Sequence, residues 1–244
     1  MPAYSTLRLT DDGQVATLRL ARPAAEQRID RTMVEELTRV LSHLEDESRA
    51  SVLVIEGGRP FCSGIDWTAF ASGGPPDVHD CNRWERAVNA LERLPKATVA
   101  VVEGACAGAG LDLLLACDAR LATTEATIEV PEVRSGRLPS MMSFRLPKYV
   151  GLGTAKRLLL TGARWSAADA AGAGLLDRVV TPEELEAARR ETVAALAATD
   201  PTALAMARRL LVEAYATAQE DALGNFLAAQ DRCLAATAEP DAVR

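Results

Sequence analysis

The chain has 244 residues, 48% of them hydrophobic, so it can bury a substantial core as one large domain or as one domain with an appendage. Asp and Glu number 34 against 27 Lys and Arg, a formal net charge of −7, which argues against binding to duplex nucleic acid. No apolar run reaches the roughly 18 residues needed to span a membrane, so a membrane protein is not expected.

The cysteines and histidines exclude further kinds of site. The five cysteines form neither a C-x-x-C pair nor a regular disulfide framework, and His43 and His79 lie far from any cysteine cluster. We therefore expect no metal site, because zinc lacks its usual ligands. No charged-then-apolar leader precedes Tyr4, and with the cysteine pattern this predicts a cytoplasmic protein.

The first part of the chain alternates between predicted strands and helices. Short runs rich in β-formers predict strands, and apolar residues at every third or fourth position predict helices. In chain order these are a strand at 14–21, a helix at 30–46, a strand at 50–58, a helix at 81–94 and a strand at 96–105. Asp30 is the expected N-cap of the first helix, and Pro95 ends the second. Residues 68–80 contain two Gly and two Pro and predict a mobile surface loop.

The second part of the chain becomes increasingly helical. Short strands are expected within 119–133, leading to Glu132. The later predicted elements are a loop and helix at 142–162, ended by Gly162, a capped helix and strand within 166–180, and helices at 182–198, 201–216 and 220–237. This order predicts an α/β body followed by a helical tail.

Closely spaced glycines point to a ligand site. Residues 99–122 combine an apolar strand, three glycines and an apolar helix with Asp112 in its first turn. Missing side chains let a ligand approach the main chain, and a helix that begins near Gly108 presents unpaired N–H groups to a negative oxygen. Residues 59–67 form a second candidate segment with Ser-Gly at a strand end. The two segments could together bind one oxygen.

Simpler interpretations of the same residues remain open. The glycines could only permit close packing of helix and strand, Asp112 could only stabilise the first turn of its helix, and Glu132 could be a solvated loop acid. A dinucleotide fingerprint fits poorly, because the sequence GACAGAG is not G-x-G-x-x-G. Trp67 and Trp84 flank the predicted loop and could line a pocket or simply pack.

Several motifs occur together in the order and spacing of one known family. They are VATLRLARP, RPFCSGIDW, VEGACAGAGLDLLLACDARLAT, EVPEVRSGRLPS, AKRLLLTGARWSAADAAGAGLLDRVV and EPDAV. On these motifs the chain resembles the crotonase, or enoyl-CoA hydratase/isomerase, superfamily nearly end to end. The resemblance implies an α/β crotonase-type spiral of ββα units at residues 1–185 and a C-terminal helical trimerisation region at 186–244. It further implies a homotrimer, often paired into a hexamer.

The resemblance also assigns the site. The backbone N–H groups of Ile65 and Ala109 would form an oxyanion hole for a thioester carbonyl. Glu132 and Asp112 would be the catalytic pair, which in family hydratases holds and activates one water. Further substrate-binding positions would be Gly64, Gly108, Gly110 and Ser140. Two acids in one small pocket cannot both ionise easily, so one can act as acid while the other acts as base.

Some positions depart from the family pattern. Asp112 stands where hydratases usually have Glu. Ser140 stands where hydratases have Gly and dienoyl-CoA isomerases have a further Asp. Gln27 and Arg28 replace Asn and Ala near the expected nucleotide end of the site. The chain also stops at Arg244, where typical members continue with another amphipathic helix, which leads us to expect an open or differently covered site.

The expected function follows from the resemblance. It is hydration or dehydration of an enoyl thioester through an oxyanion-stabilised enolate, with double-bond isomerisation or decarboxylation as alternatives. The substrate is expected on coenzyme A or on the phosphopantetheine arm of an acyl-carrier protein, with no separate cofactor. A helper protein of low activity in a specialised biosynthetic pathway is the alternative from another class.

Overall fold

The computed structural model describes residues 4–71, 74 and 76–238. The strands are β1 (Leu7–Asp11), β2 (Val15–Leu20), β3 (Val52–Glu56), β4 (Ala97–Val102), β5 (Ala105–Ala107), β6 (Ala119–Thr123), β7 (Thr127–Glu129), β8 (Arg164–Ser166) and β9 (Arg178–Val180). The helices are α1 (Arg31–Asp46), α2 (Trp67–Ala71), α3 (Val78–Arg93), α4 (Ala109–Leu115), α5 (Met142–Thr161), α6 (Ala167–Gly172), α7 (Leu185–Ala197), α8 (Pro201–Glu213) and α9 (Gln219–Ala238). The EPDAV motif at 239–243 lies outside the described residues.

A six-stranded sheet organises the chain. Its order is β1-β2-β3-β4-β6-β9; β1 and β2 pair antiparallel, and the remaining neighbours pair parallel. β3 and β4 are continuous apolar runs, as expected for parallel strands covered on both faces. Leu53 and Ile55 face the main core, whereas Val52 and Val54 face a smaller cluster that includes α7. This α/β architecture with helices at the C-terminal end agrees with the predicted fold class.

A second, three-stranded sheet lies beside the first and carries the candidate site. Its order is β5-β7-β8, with β5 parallel to β7 and β7 antiparallel to β8. β5 follows β4 after a tight turn at Gly104, whose φ is +63°. The chain therefore leaves the large sheet, crosses to the small one and enters α4 within a few residues.

Local signals placed several boundaries correctly. The Asp30 side chain accepts a hydrogen bond from Met33 N (2.8 Å) and caps α1. Leu94 has extended backbone angles before Pro95, which ends α3 at Arg93. Gly162 closes α5 in the left-handed conformation (φ +62°).

Other expectations about elements were wrong. The predicted loop 68–80 begins inside α2, and α3 begins at Val78 rather than at residue 81, because Asp77 caps it through a capping box. Part of that predicted loop lies outside the described residues. The expected loop at the start of 142–162 is helical from Met142, and the α5 helix is instead interrupted at Gly151 (φ +74°, ψ +157°).

The C-terminal helices are attached to the body in different ways. α7 packs on the large sheet through Leu185 and Ala188. α8 is anchored by the buried Arg208, whose guanidinium bonds Asp118 (2.6 Å) and main-chain carbonyl groups of α3 and the following turn. α9 packs along α8. The predicted boundary at residues 185 and 186 stays a prediction. Within the described part of the chain, no helix is long and apolar enough to cross a membrane.

Candidate active site

Two glycine-containing segments that are distant in sequence lie side by side. Cys62 N donates to Ala105 O (3.1 Å) and Ala107 N donates to Cys62 O (2.8 Å), so residue 62 pairs in parallel with β5. This register brings Gly64 against Gly108: a Cβ built on Gly108 would lie 3.6 Å from the Gly64 Cα. The structure therefore brings together the two segments that the sequence proposed for one oxygen.

The amides of Ile65 and Ala109 emerge from these segments. Ile65 forms a parallel bridge with Ile29, but that bridge uses Gly64 O and Asp66 N (2.9 and 2.8 Å) and leaves the Ile65 N–H unused. Ala109 is the first residue of α4, where N–H groups have no partner within the helix. Among the described residues, neither amide donates a hydrogen bond to the protein. A Cβ built on Gly64 would lie 3.9 Å from Ala109 N, so the two segments present their amides close together.

Glycine is required at two of the predicted substrate-binding positions. Gly108 has φ +50°, and a Cβ there would lie 2.1 Å from Glu132 Oε1. A Cβ on Gly110 would lie 2.8 Å from Cys62 O. Side chains at these positions would displace the Glu132 carboxyl or separate the paired segments.

Asp112 is fully buried in the first turn of α4. Its Oδ2 accepts hydrogen bonds from Trp84 Nε1 (3.1 Å) and from Ser140 Oγ (2.5 Å). Among the described residues its Oδ1 has no hydrogen-bond partner and lies 3.7 Å from Arg145 Nη1. Burial raises the pKa of Asp112 to about 7, although the hydrogen bonds from Ser140 and Trp84 oppose that shift.

A buried arginine, which the sequence did not single out, lies beside Asp112. The Arg145 guanidinium bonds Glu85 Oε2 (2.9 Å), Asn89 Oδ1 (2.9 Å) and Glu92 Oε2 (3.2 Å), all on α3. Its positive charge is therefore shared between two nearer carboxylates and only weakly favours an ionised Asp112. In the sequence, the spacing of Glu85, Asn89 and Glu92, which places all three on one face of α3, could have indicated a buried partner for them.

Glu132 begins a 3-10 turn (Glu132–Ser135) directly after Pro131. Its Oε1 lies over Gly108, and its Oε2 is buried without a hydrogen-bond partner among the described residues. Burial raises the pKa of Glu132; nearby Glu129 raises it further, and Arg137 opposes the shift. Glu132 and Asp112 therefore both favour the protonated form more than ordinary carboxyl groups, and each has one buried oxygen without a hydrogen-bond partner among the described residues.

Comparison with known proteins identifies the family. The family described as enoyl-CoA hydratase/isomerase matches residues 10–244. The chain belongs to the enoyl-CoA hydratase/isomerase family. It is 36% identical over 203 residues to an enoyl-CoA hydratase of Amycolatopsis orientalis, covering 82% of this chain and 88% of that one. It is 30% identical over 197 residues to a peroxisomal Δ(3,5)-Δ(2,4)-dienoyl-CoA isomerase of Arabidopsis thaliana, covering 73% and 71%.

A solved structure of the family has the same fold. A presumed enoyl-CoA hydratase from Thermobifida fusca YX, crystallised with acetoacetyl-CoA, superimposes with a TM-score of 0.86 and is 31% identical, covering 94% of this chain and 95% of that one. The fold class inferred from the sequence is thereby confirmed. The chain is an enzyme of this crotonase superfamily, and its relatives include both hydratases and an isomerase.

The two departures near the start of the chain have different surroundings. Gln27 is buried: its Oε1 accepts from Arg22 N (2.7 Å) and its Nε2 donates to Gly57 O (2.9 Å). Arg28 is half-exposed and pairs with Glu26. Gln27 therefore stabilises the loop before residues 59–67, while Arg28 is directed toward solvent.

The buried carboxyl of Asp112 predicts an unusual stability profile. Its pKa rises from about 3.9 when unfolded to about 7 when folded, so its contribution to stability is lost as pH rises through that window. Asp112→Asn should therefore gain stability relative to the wild type by about 3 kcal/mol between pH 5 and pH 8. Urea unfolding at both pH values measures this, with the exposed Asp231→Asn on α9 as control. An equal stability difference at both pH values would contradict it.

Proposed function

We propose that the enzyme hydrates, or in reverse dehydrates, a carbon–carbon double bond conjugated to an acyl thioester. The observation that supports this most directly is the unused amides of Ile65 and Ala109 in adjacent segments, near a half-buried Glu132 whose carboxyl lies against Gly108 and has its Oε2 buried. Asp112 lies one helical turn beyond Ala109 on α4. Two main-chain donors, with two carboxyl groups of raised pKa, suit a reaction that forms an enolate and moves two protons.

The proposed steps follow from these groups. The thioester oxygen accepts hydrogen bonds from Ile65 N and Ala109 N, which draws electron density from the β-carbon and stabilises the enolate. Each such donor typically contributes a factor of about 10²–10³ in rate, because it need not reorganise as charge develops. Water adds its oxygen to the β-carbon and gives one proton to the ionised carboxyl of the pair. The protonated carboxyl gives its proton to the α-carbon, so one water is added in total.

We assign the α-carbon proton to Glu132 and the water to Asp112. Glu132 lies over Gly108, next to the amides that would hold the carbonyl, and the α-carbon is bonded to that carbonyl carbon. Asp112 would orient the water through the oxygen that has no partner. Gly64, Gly108 and Gly110 would line the thioester, as the sequence predicts.

Coenzyme A is the proposed carrier of the acyl group. The Thermobifida fusca relative was crystallised with acetoacetyl-CoA, and 31% identity across nearly the whole chain supports the same class of ligand here. A carrier protein's phosphopantetheine arm offers the same thioester and is the alternative. We propose a reducing, cytoplasmic compartment, because all five cysteines are unpaired and three of them are buried.

Turnover of crotonyl-CoA, followed by loss of the enoyl absorbance, tests the reaction. Glu132→Gln should lower kcat/KM by about 10³-fold or more, because the amide cannot transfer a proton. The exposed Glu45→Gln on α1 is the matched control and should keep wild-type activity. A wild type that binds CoA-linked, carrier-linked and 3-enoyl thioesters but converts none of them would overturn the enzymatic proposal and favour a helper role.

The division of labour between the two carboxyls can be tested separately. Asp112→Asn should slow hydration of a 2-enoyl thioester at least about tenfold more than isomerisation of a 3-enoyl thioester, because only hydration needs the held water. The two rates are measured on the same preparation, so loss of folded protein cancels in their ratio. An equal loss in both assays would show that Asp112 does not act on the water.

We propose that the chain assembles as a homotrimer, which can pair into a hexamer, through its C-terminal helical region at 186–244. Support comes from large apolar side chains that remain exposed on α8, on α9 and in the turn between them. They are Leu211, Tyr215, Leu223, Phe226, Leu227 and Leu234. A concentration of large exposed apolar side chains in one region of the chain is typical of an interface.

Light scattering on the purified protein tests the assembly. The expected mass is three or six times the 26.0 kDa of one chain. Replacing Leu223 and Leu227 together with Asp should lower it, because these residues are one turn apart on α9 and would place charges in the interface. Asn225→Asp, which is exposed on the opposite face of the same helix, is the control and should leave the mass unchanged. A wild type that stays at 26.0 kDa at micromolar concentration would refute the trimer.

A further inference from the structure

Both donors to Asp112 bind the same carboxyl oxygen. Trp84 Nε1 and Ser140 Oγ come from different parts of the chain, α3 and the turn before α5, and both donate to Oδ2. A carboxyl oxygen offers about two lone-pair positions, so these two bonds occupy Oδ2. Oδ1 is buried and accepts no hydrogen bond from the described residues.

We propose that Ser140 and Trp84 are positioning residues: they hold Oδ2 of Asp112, so that Asp112 binds water and carries its acidic proton through Oδ1 alone. The inference rests on the proposed hydration and refines it. It gives Ser140 a role toward Asp112, where the family resemblance implied a role toward the substrate. It also gives Trp84 a function, whereas the sequence did not distinguish a Trp84 that lines a pocket from one that only packs.

The backbone at Ser140 supports a specific need for its hydroxyl. Ser140 has φ +42°, in the left-handed region that favours glycine. Glycine would relieve this strain, but it has no atom that could reach Asp112. The structure shows the strained backbone at Ser140. From it we infer that the hydroxyl of Ser140 is needed for its hydrogen bond to the catalytic carboxyl of Asp112.

The other groups around Asp112 do not replace these donors. Arg145 Nη1 is 3.7 Å from Oδ1, too far for a hydrogen bond, and its guanidinium is committed to Glu85, Asn89 and Glu92. Of these, Glu85 opposes ionisation of Asp112 and Arg145 favours it. In the two paired segments, the ionisable groups that face Asp112 are the thiols of Cys62 and Cys106. Burial raises the pKa of both thiols well above the ordinary value, so they are neutral.

The Trp84 indole N–H gives a direct readout of this network. The chain has three tryptophans, so a protein labelled with ¹⁵N at the indole nitrogens gives three resonances, and Trp84→Phe assigns the one of interest. This resonance should shift with pH as Asp112 gains its proton, with a midpoint near the pKa of about 7, and the shift should be absent in Asp112→Asn. The Trp165 resonance serves as internal reference.

Ser140→Ala and Ser140→Gly test the role of the hydroxyl. Both should move the Trp84 midpoint to higher pH, because the ionised carboxyl loses a donor. Both should lower kcat/KM for hydration about tenfold or more and shift the pH profile in the same direction. Ser140→Gly should be at least as thermally stable as Ser140→Ala, since it relieves the positive φ. Ser143→Ala, exposed on α5, should leave the activity and the midpoint unchanged.

The possible outcomes separate this inference from the proposed function. A Trp84 resonance that does not respond between pH 5 and pH 9, or that has the same midpoint in Ser140→Ala and the wild type, overturns the inference even if the enzyme hydrates crotonyl-CoA. An enzyme that hydrates no thioester overturns the proposed function, while the resonance still decides whether Ser140 and Trp84 hold Asp112.

Discussion

The pairing of Cys62 with β5 is the contact on which the site depends. Two main-chain hydrogen bonds set the register between segments from separate strand–helix units, and that register places Gly64 against Gly108. Only main-chain atoms are needed, so residues such as Ala109 can vary while the amide stays in place. The glycines explain why the approach is possible, because at Gly110 a side chain would strike Cys62.

The same arrangement lowers the stability of the fold and favours proton transfer. Helices α3, α4 and α5 pack together where Asp112 is completely buried, and Glu132 is half-buried beside Gly108. Burial raises the pKa of both carboxyl groups, which is unfavourable for folding but suits proton transfer near neutral pH. Ser140 and Trp84 reduce this cost on one oxygen of Asp112 and leave the other available.

Sequence reasoning succeeded where the signal is local. The Asp30 cap and the Pro95 stop act within a few residues, and the glycine spacing correctly predicted that a helix begins near Gly108, while the oxyanion role of that segment stays a prediction. It failed where a tertiary contact decides the structure: Arg145 is buried because three α3 side chains meet it, and nothing next to it in the chain indicates this. The Trp84 contact with Asp112 likewise depends on how α3 packs against α4.

The central claim is that the amides of Ile65 and Ala109 polarise the thioester carbonyl. Raman difference spectroscopy of carbonyl-labelled crotonyl-CoA bound to the Glu132→Gln enzyme tests it most directly, because the stretching frequency reports the strength of hydrogen bonds to that oxygen. Two aligned donors predict a frequency below that of the same thioester in water. A frequency equal to or above the value in water would contradict the account.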